Sequence, residues 1–195
     1  MKDHEIRQFE QEGFVVFEKL IDRETTQQIR TELLGLIEVD QFKKAGIGKH
    51  ENFKLDHSQR GDFIHWIDRT DALPATTLFL ERLQELVIQL NRNFYLGIRD
   101  FECHYTQYPE GTFYKRHVDR HKTGSSRIVS FVLYLNEHWT IHDGGQLRIY
   151  QPDGSFHDVQ PEAGSLAIFL SEKEHEVLPT KRVRNSITGW LLSEG

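Results

Sequence analysis

From about Asp100 onward, apolar residues alternate with polar ones or run in short blocks, and turn signals recur at short intervals. FECHYTQY, FYKRHVD, RIVSFVLYLN, GQLRIYQ, SFHDV, SLAIFL, HEVLP and NSITGWLL each fit the period-two pattern of a strand or the short apolar block of a buried one. Pro152-Asp153-Gly154 and Pro161-Glu162-Ala163-Gly164 supply turns between them. A helix needs a longer, 3.6-periodic stretch than these segments offer, so the second half is confined to β-structure. Eight short, tightly linked strands predict a double-stranded β-helix, or jelly roll.

The first half reads mainly helical. Asp3 is expected to cap a short helix that gives way at Gly13, and FVVFEKL suggests a short strand. Asp22 is a natural N-cap for RETTQQIRTELLGLIEV, in which Ile29, Leu33, Leu36 and Ile37 fall at helical spacing. A further helix is predicted from Ala75 to Asn93, with Leu78, Leu83, Leu86, Val87 and Leu90 as its buried stripe. Residues 41–59 are polar, lysine-rich and aperiodic, the signature of a functional or mobile loop. The expected class is therefore α+β, mainly β: a jelly-roll core over 100–195, with the helices of 1–99 packed outside it. At 195 residues this is one domain.

Composition excludes several function classes. A formal net charge of −6 and a pI near 6.0 give no electrostatic case for a nucleic-acid partner. The single cysteine, Cys103, precludes a disulfide framework within the chain. The start, MKDHEIRQFEQEG, lacks the apolar stretch of a signal peptide, and no run approaches the roughly 20 apolar residues of a membrane span. The expectation is a cytoplasmic protein without a membrane partner.

Chemistry is concentrated in an ordered set of residues. On a strand, His117 and Asp119 point to the same side, so imidazole and carboxylate can converge on one metal ion. A lone His-x-Asp is common by chance, and a surface hydrogen-bonded pair is its ordinary meaning. His175, 58 residues on, opens a late strand that a jelly roll brings beside an early one. Nine residues later Arg184 shares a strand face with Ser186, Thr188 and Trp190, and a guanidinium can clamp a carboxylate through two parallel hydrogen bonds. Tyr134 can reach the same carboxylate from inside the barrel. Each residue alone has an ordinary structural reading; the order His-x-Asp, Tyr, His, Arg is hard to obtain by accident. Cys103 reads as a small buried hydrophobe, His104 and His157 as hydrogen-bonded strand residues, Trp66 and Trp139 as packing residues. His50, His57 and His65 lack partners at ligand spacing for a second metal site.

YPEGTFYKRHVD, SSRIVSFVLYLNEHW, GGQLRIY and HEVLPTKRVRNSITGW together resemble the prolyl 4-hydroxylase branch of the Fe(II)- and 2-oxoglutarate-dependent oxygenases, in particular the hypoxia-inducible-factor prolyl hydroxylases and their bacterial relatives. RGDFIHWID (60–68) is similar to a segment bordering that branch's peptide groove. The resemblance implies that His117, Asp119 and His175 ligate iron, and that Arg184 and Tyr134 bind the distal carboxylate of 2-oxoglutarate, with Tyr108 lining the same pocket. It further implies that Arg127 and Trp190 face the substrate, that Asp62 pairs with Arg127, and that 41–59 is a substrate loop. The activity implied is hydroxylation of a prolyl residue in a protein, consuming 2-oxoglutarate and O2 and releasing succinate and CO2, with ascorbate as an optional reductant. Three rivals stand beside it: the same chemistry on another side chain or a small molecule, a metal-binding jelly roll without catalysis, and a plain structural β domain, which leaves the ordered set of motifs unexplained. Three such ligands also hold zinc, but zinc hydrolysis gives no reason for an arginine–tyrosine clamp.

Overall fold

The computed structural model describes residues 1–46, 56, 58–120 and 125–194. All eight strands expected in the second half are present: β4 Asp100–Tyr108, β5 Tyr114–His117, β6 Arg127–Tyr134, β7 Leu147–Tyr150, β8 Phe156–Val159, β9 Leu166–Leu170, β10 His175–Val177 and β11 Arg184–Leu192. FVVFEKL contributes β1, Phe14–Phe17. Two strands escaped the sequence reading, β2 at Lys43–Lys44 and β3 at Phe63–Trp66. The major sheet runs β1-β9-β6-β11-β4-β3-β2 and the minor sheet β5-β10-β7-β8, with antiparallel neighbours throughout. This is the jelly roll the strand pattern predicted.

Among the described residues three α-helices accompany the sheets: α1 Asp3–Glu12, α2 Arg23–Glu38 and α3 Pro74–Phe94. Asp22 caps α2 as expected, accepting from the Thr25 N–H at 2.9 Å. For α1 the cap is Lys2, and Asp3 is instead its first helical residue; Gly13 ends the helix in the left-handed conformation (φ 68°). In α3 the buried stripe runs through Phe79, Leu83, Leu86, Val87 and Leu90, whereas Leu78 is half exposed. Leu78 lies on the side of Arg82 and Glu85, one turn and two turns further on, and so faces water.

The strand alternation sorts the core into two layers. Val129, Phe131, Leu133, Ile168 and Ile187 point from the major sheet to the helices, where they meet Ile29, Leu33, Phe79, Leu83 and Leu90. Val132, Tyr134, Ala167 and Phe169 point the opposite way and meet Leu147, Ile149 and Val159 of the minor sheet. Each large aliphatic or aromatic side chain in these layers contributes about 1.5–3 kcal/mol by leaving water. The helical layer stiffens the major sheet, so its opposite face can carry polar groups in fixed positions. No helix among the described residues is long and apolar enough to cross a membrane.

Candidate active site

His117 is the last residue of β5 and His175 the first of β10; the two lie opposite each other in the ladder, with ring centroids 4.2 Å apart. Asp119 lies beyond the end of β5, in a bend, so the strand alternation does not by itself aim its side chain. Its backbone is held from β9's far end: the N–H groups of Asp119 and Arg120 donate to the Ser171 carbonyl at 3.1 and 2.9 Å. The ligand atoms of His117, Asp119 and His175 all fall within 4.8 Å of one another. His117 Nε2 is 3.7 Å from Asp119 Oδ1, and His175 Nε2 is 3.5 Å from Asp119 Oδ2.

The tautomers follow from the other ring nitrogens. His117 Nδ1 lies 2.7 Å from the Lys115 carbonyl and His175 Nδ1 lies 2.9 Å from the Lys173 carbonyl. A carbonyl only accepts, so each Nδ1 carries a proton, and in the neutral ring Nε2 presents its lone pair to the common point. Burial, reinforced by the neighbouring His175, lowers the His117 pKa to about 3, which keeps its ring neutral. Burial pushes the Asp119 carboxyl up, but His175, His117 and the Ser130 hydroxyl outweigh it and hold the group below the ordinary carboxylate value. The Trp190 indole N–H also favours the ionised form, although no hydrogen bond of normal geometry joins it to Asp119. Two neutral imidazoles and one carboxylate suit a divalent transition metal, and iron(II) oxygenase sites use this set with other positions open.

At the other end of the same face lies a second polar centre. Arg184 opens β11 and is 1% exposed, and Tyr134 closes β6 and is fully buried. The guanidinium donates through Nε to the Gly145 carbonyl at 2.9 Å and reaches Ser186 Oγ only at 3.5 Å; among the described residues no carboxylate pairs with it. The rings of Tyr108 and Tyr134 each lie 5.1 Å from it. The Tyr134 hydroxyl is buried without a hydrogen-bond partner, and burial pushes its pKa up to about 12, so it remains a donor. A buried cation beside a buried idle O–H costs several kcal/mol unless an anion arrives. The pocket therefore fits the far carboxylate of a dicarboxylic acid whose near end reaches the metal.

The mouth of the face is aromatic. Trp190 lies 5.6 Å from His104 and 6.3 Å from Trp66, and Arg127 sits 3.4 Å above the Trp190 ring. Trp66 is half exposed and serves less in packing than in forming a wall. The expected pairing of Asp62 with Arg127 does not occur. Asp62 takes a two-pronged bond from Arg60 (2.7 and 2.6 Å), and Arg127 is bound to Glu102 at 2.7 Å. Topology explains this: Asp62 precedes β3 and Arg127 opens β6, with β4 and β11 between them, about 14 Å of sheet.

A model of the 2OG-Fe(II) oxygenase superfamily matches residues 103–192, the span that carries the triad and the clamp. Egl nine homolog 1 of Rattus norvegicus is 33% identical over 190 residues, covering 91% of this chain and 54% of the relative. The crystal structure of a Pseudomonas putida prolyl-4-hydroxylase superposes with a TM-score of 0.88 at 38% identity, covering 98% of both chains. The chain belongs to the 2OG-Fe(II) oxygenase superfamily. A Trichoplax adhaerens prolyl hydroxylase, solved in complex with a hypoxia-inducible-factor peptide fragment, is 26% identical with a TM-score of 0.89, covering 97% of this chain and 88% of the other. The chain spans about half the length of Egl nine homolog 1 (54% of the rat protein, 46% of the mouse one).

Several residues of the candidate site carry no mark in the sequence. Arg60, Glu102 and the serines 130 and 171 carry no spacing signature; only the shared face with Tyr134 pointed to Ser130. His104 is buried and hydrogen-bonded through Nδ1 to Thr106 Oγ1 at 2.9 Å, as expected, but it also forms part of the aromatic wall. Cys103 is buried with its thiol pKa pushed up to about 12, an inert core residue. Trp139 packs and donates to the Gly144 carbonyl, and His65 bonds the Gln41 carbonyl. His157 is half exposed and lies 3.7 Å from Glu12, short of the hydrogen bond expected for it. His50, His57 and residues 47–55 of the expected substrate loop lie outside the described residues.

Proposed function

We propose that this oxygenase hydroxylates a prolyl residue of a protein or peptide. His117, Asp119 and His175 would hold iron(II), and Arg184 and Tyr134 would hold the distal carboxylate of 2-oxoglutarate, with Tyr108 walling the pocket. The observation that carries the reading is the pairing of a metal-ready triad with a buried guanidinium that lacks a carboxylate partner among the described residues. A metal-binding module without catalysis gains nothing from the second feature.

When bound, iron(II) with 2-oxoglutarate and O2 supplies the oxidising power, releasing CO2 and succinate and placing one oxygen atom on a substrate C–H bond. The chain's own residues do the rest. The Nδ1–H bonds to the Lys115 and Lys173 carbonyls fix both imidazoles with lone pairs inward. Arg184 and Tyr134 set the orientation of the oxoacid. Val132, Leu147, Ile149 and Phe169 keep water from the oxidising centre. Trp66, His104, Trp190 and Arg127 form an open wall beside the triad that suits an extended peptide. The prolyl specificity is supported by the likeness to the Pseudomonas putida and Trichoplax adhaerens enzymes.

The test begins without a substrate. Iron(II) and 2-oxoglutarate are added anaerobically to the metal-free protein, and the visible charge-transfer band of the chelate is sought, with Arg184→Met as control. Aerobic incubation with proline-containing peptides should then yield succinate and a product heavier by one oxygen atom on proline. Oxygen found on another residue would retain the chemistry and overturn the prolyl assignment.

A further inference from the structure

We propose that Ser130 and Ser171 form a hydroxyl relay that positions the Asp119 carboxylate for the metal. Ser130 Oγ lies 2.7 Å from Asp119 Oδ2 and 2.9 Å from Ser171 Oγ, and both serines are at most 1% exposed. Each hydroxyl has one proton. The ionised carboxylate only accepts, so Ser130 donates to Asp119, and Ser171 must donate to Ser130. The direction of the chain is thus fixed: Ser171 to Ser130 to Asp119.

Ser171 also holds the other end of the same turn. Its carbonyl accepts the N–H groups of Asp119 and Arg120, and its own N–H donates to the Ile128 carbonyl at 2.9 Å. This matters because Asp119 lies past β5, where no ladder aims its side chain. One residue therefore ties down the backbone of Asp119 directly and its carboxylate through Ser130. Oδ2 is occupied by a hydroxyl proton, while Oδ1 makes no hydrogen bond to any described residue. A carboxylate steered to offer one oxygen leaves more of the metal's positions for the oxoacid and O2.

The relay rests on the metal assignment of the triad, and titration of the metal-free protein with Mn(II) tests the two separately. Free Mn(II) is counted by electron paramagnetic resonance, and thermal unfolding of the metal-free variants monitors the fold. Ser130→Ala should weaken Mn(II) binding about 10- to 100-fold with little change in the metal-free melting temperature. Ser130→Thr, which keeps the hydroxyl, should restore binding to within a few-fold. Ser171→Ala should weaken it a few-fold, and the double alanine variant should be no worse than Ser130→Ala, because Ser171's side chain acts through Ser130. Wild-type affinity in Ser130→Ala would overturn the relay while leaving the triad intact, and so would full additivity in the double variant. Should Ser130→Ala fail to fold, Ser171→Ala decides, and unchanged affinity there overturns the relay. Absence of Mn(II) binding in the unaltered chain would remove the metal assignment and the relay with it.

Discussion

Replacing Arg184 by methionine separates two effects that a buried arginine combines. In the ligand-free protein the guanidinium is 1% exposed and has one short hydrogen bond, to the Gly145 carbonyl. Losing that bond costs about 1 kcal/mol, and removing an unpaired buried charge returns as much or more. Methionine keeps most of the volume, so the metal-free melting temperature should stay level or rise. In the 2-oxoglutarate complex the balance reverses, because removing one partner of a buried charge pair costs about 2–5 kcal/mol, roughly 30- to 4,000-fold in affinity. With Mn(II) saturating and 2-oxoglutarate at about 100 times its wild-type Kd, binding should stabilise the wild type by about 2.7 kcal/mol. For a chain of this size that is roughly 5–11 °C in melting temperature. The variant should gain at most about 0.9 kcal/mol, or about 2–4 °C, by the same relation. Thermal unfolding with and without the oxoacid reads both numbers. A variant that melts several degrees lower when metal-free yet keeps the full ligand shift would refute the assignment of Arg184 as carboxylate clamp.

Tyr134→Phe removes only the idle O–H, so 2-oxoglutarate should bind about 10- to 100-fold more weakly with Mn(II) affinity unchanged, as calorimetry would show. The His104 pKa is lowered to about 4 by burial, against 6.5 unfolded, so the unfolded chain binds the proton first. Its contribution is complete above the unfolded value and is lost as pH falls from about 6.5 to about 4. That amounts to roughly 3 kcal/mol, and His104→Met should flatten that part of the urea-midpoint profile. Asp62→Ala strands the largely buried Arg60 and should cost about 3 kcal/mol in urea unfolding, with Arg60→Met/Asp62→Leu recovering most of it.

The legible part of the fold was the part that repeats. Most of the eight strands are legible because burial writes itself into the sequence, as alternation where one face is covered (β7) and as a short apolar block where both are (β6 and β9), and the Pro/Gly turns set their limits. β2 has only two residues, both exposed lysines, and β3 has no fully buried residue, so neither carries an alternation to detect. The expected stripe takes in Leu78 and overlooks its neighbour Phe79, which occupies the core. His117, Asp119 and His175 were selected by type and order, and the structure brings their ligand atoms together. What aims Asp119, a carbonyl and two hydroxyls from sequence-distant serines, leaves no mark on local spacing. The pairing of Asp62 with Arg127 failed for the converse reason: resemblance suggested a neighbourhood, but strand order separates the two.

β11 acts as a ruler. Arg184, Ser186, Thr188 and Trp190 share one face, so the proposed anchor for the cosubstrate and the proposed wall for the substrate are fixed about 20 Å apart along one extended backbone. Inserting or deleting a single residue between them would turn one end of the strand inside out, so the strand cannot be lengthened gradually. An oxoacid one methylene longer must buckle or push its chelating end past the metal. On the proposed function, new substrates are therefore reached more readily by varying the wall and its flanking segments, with the dicarboxylate cosubstrate unchanged.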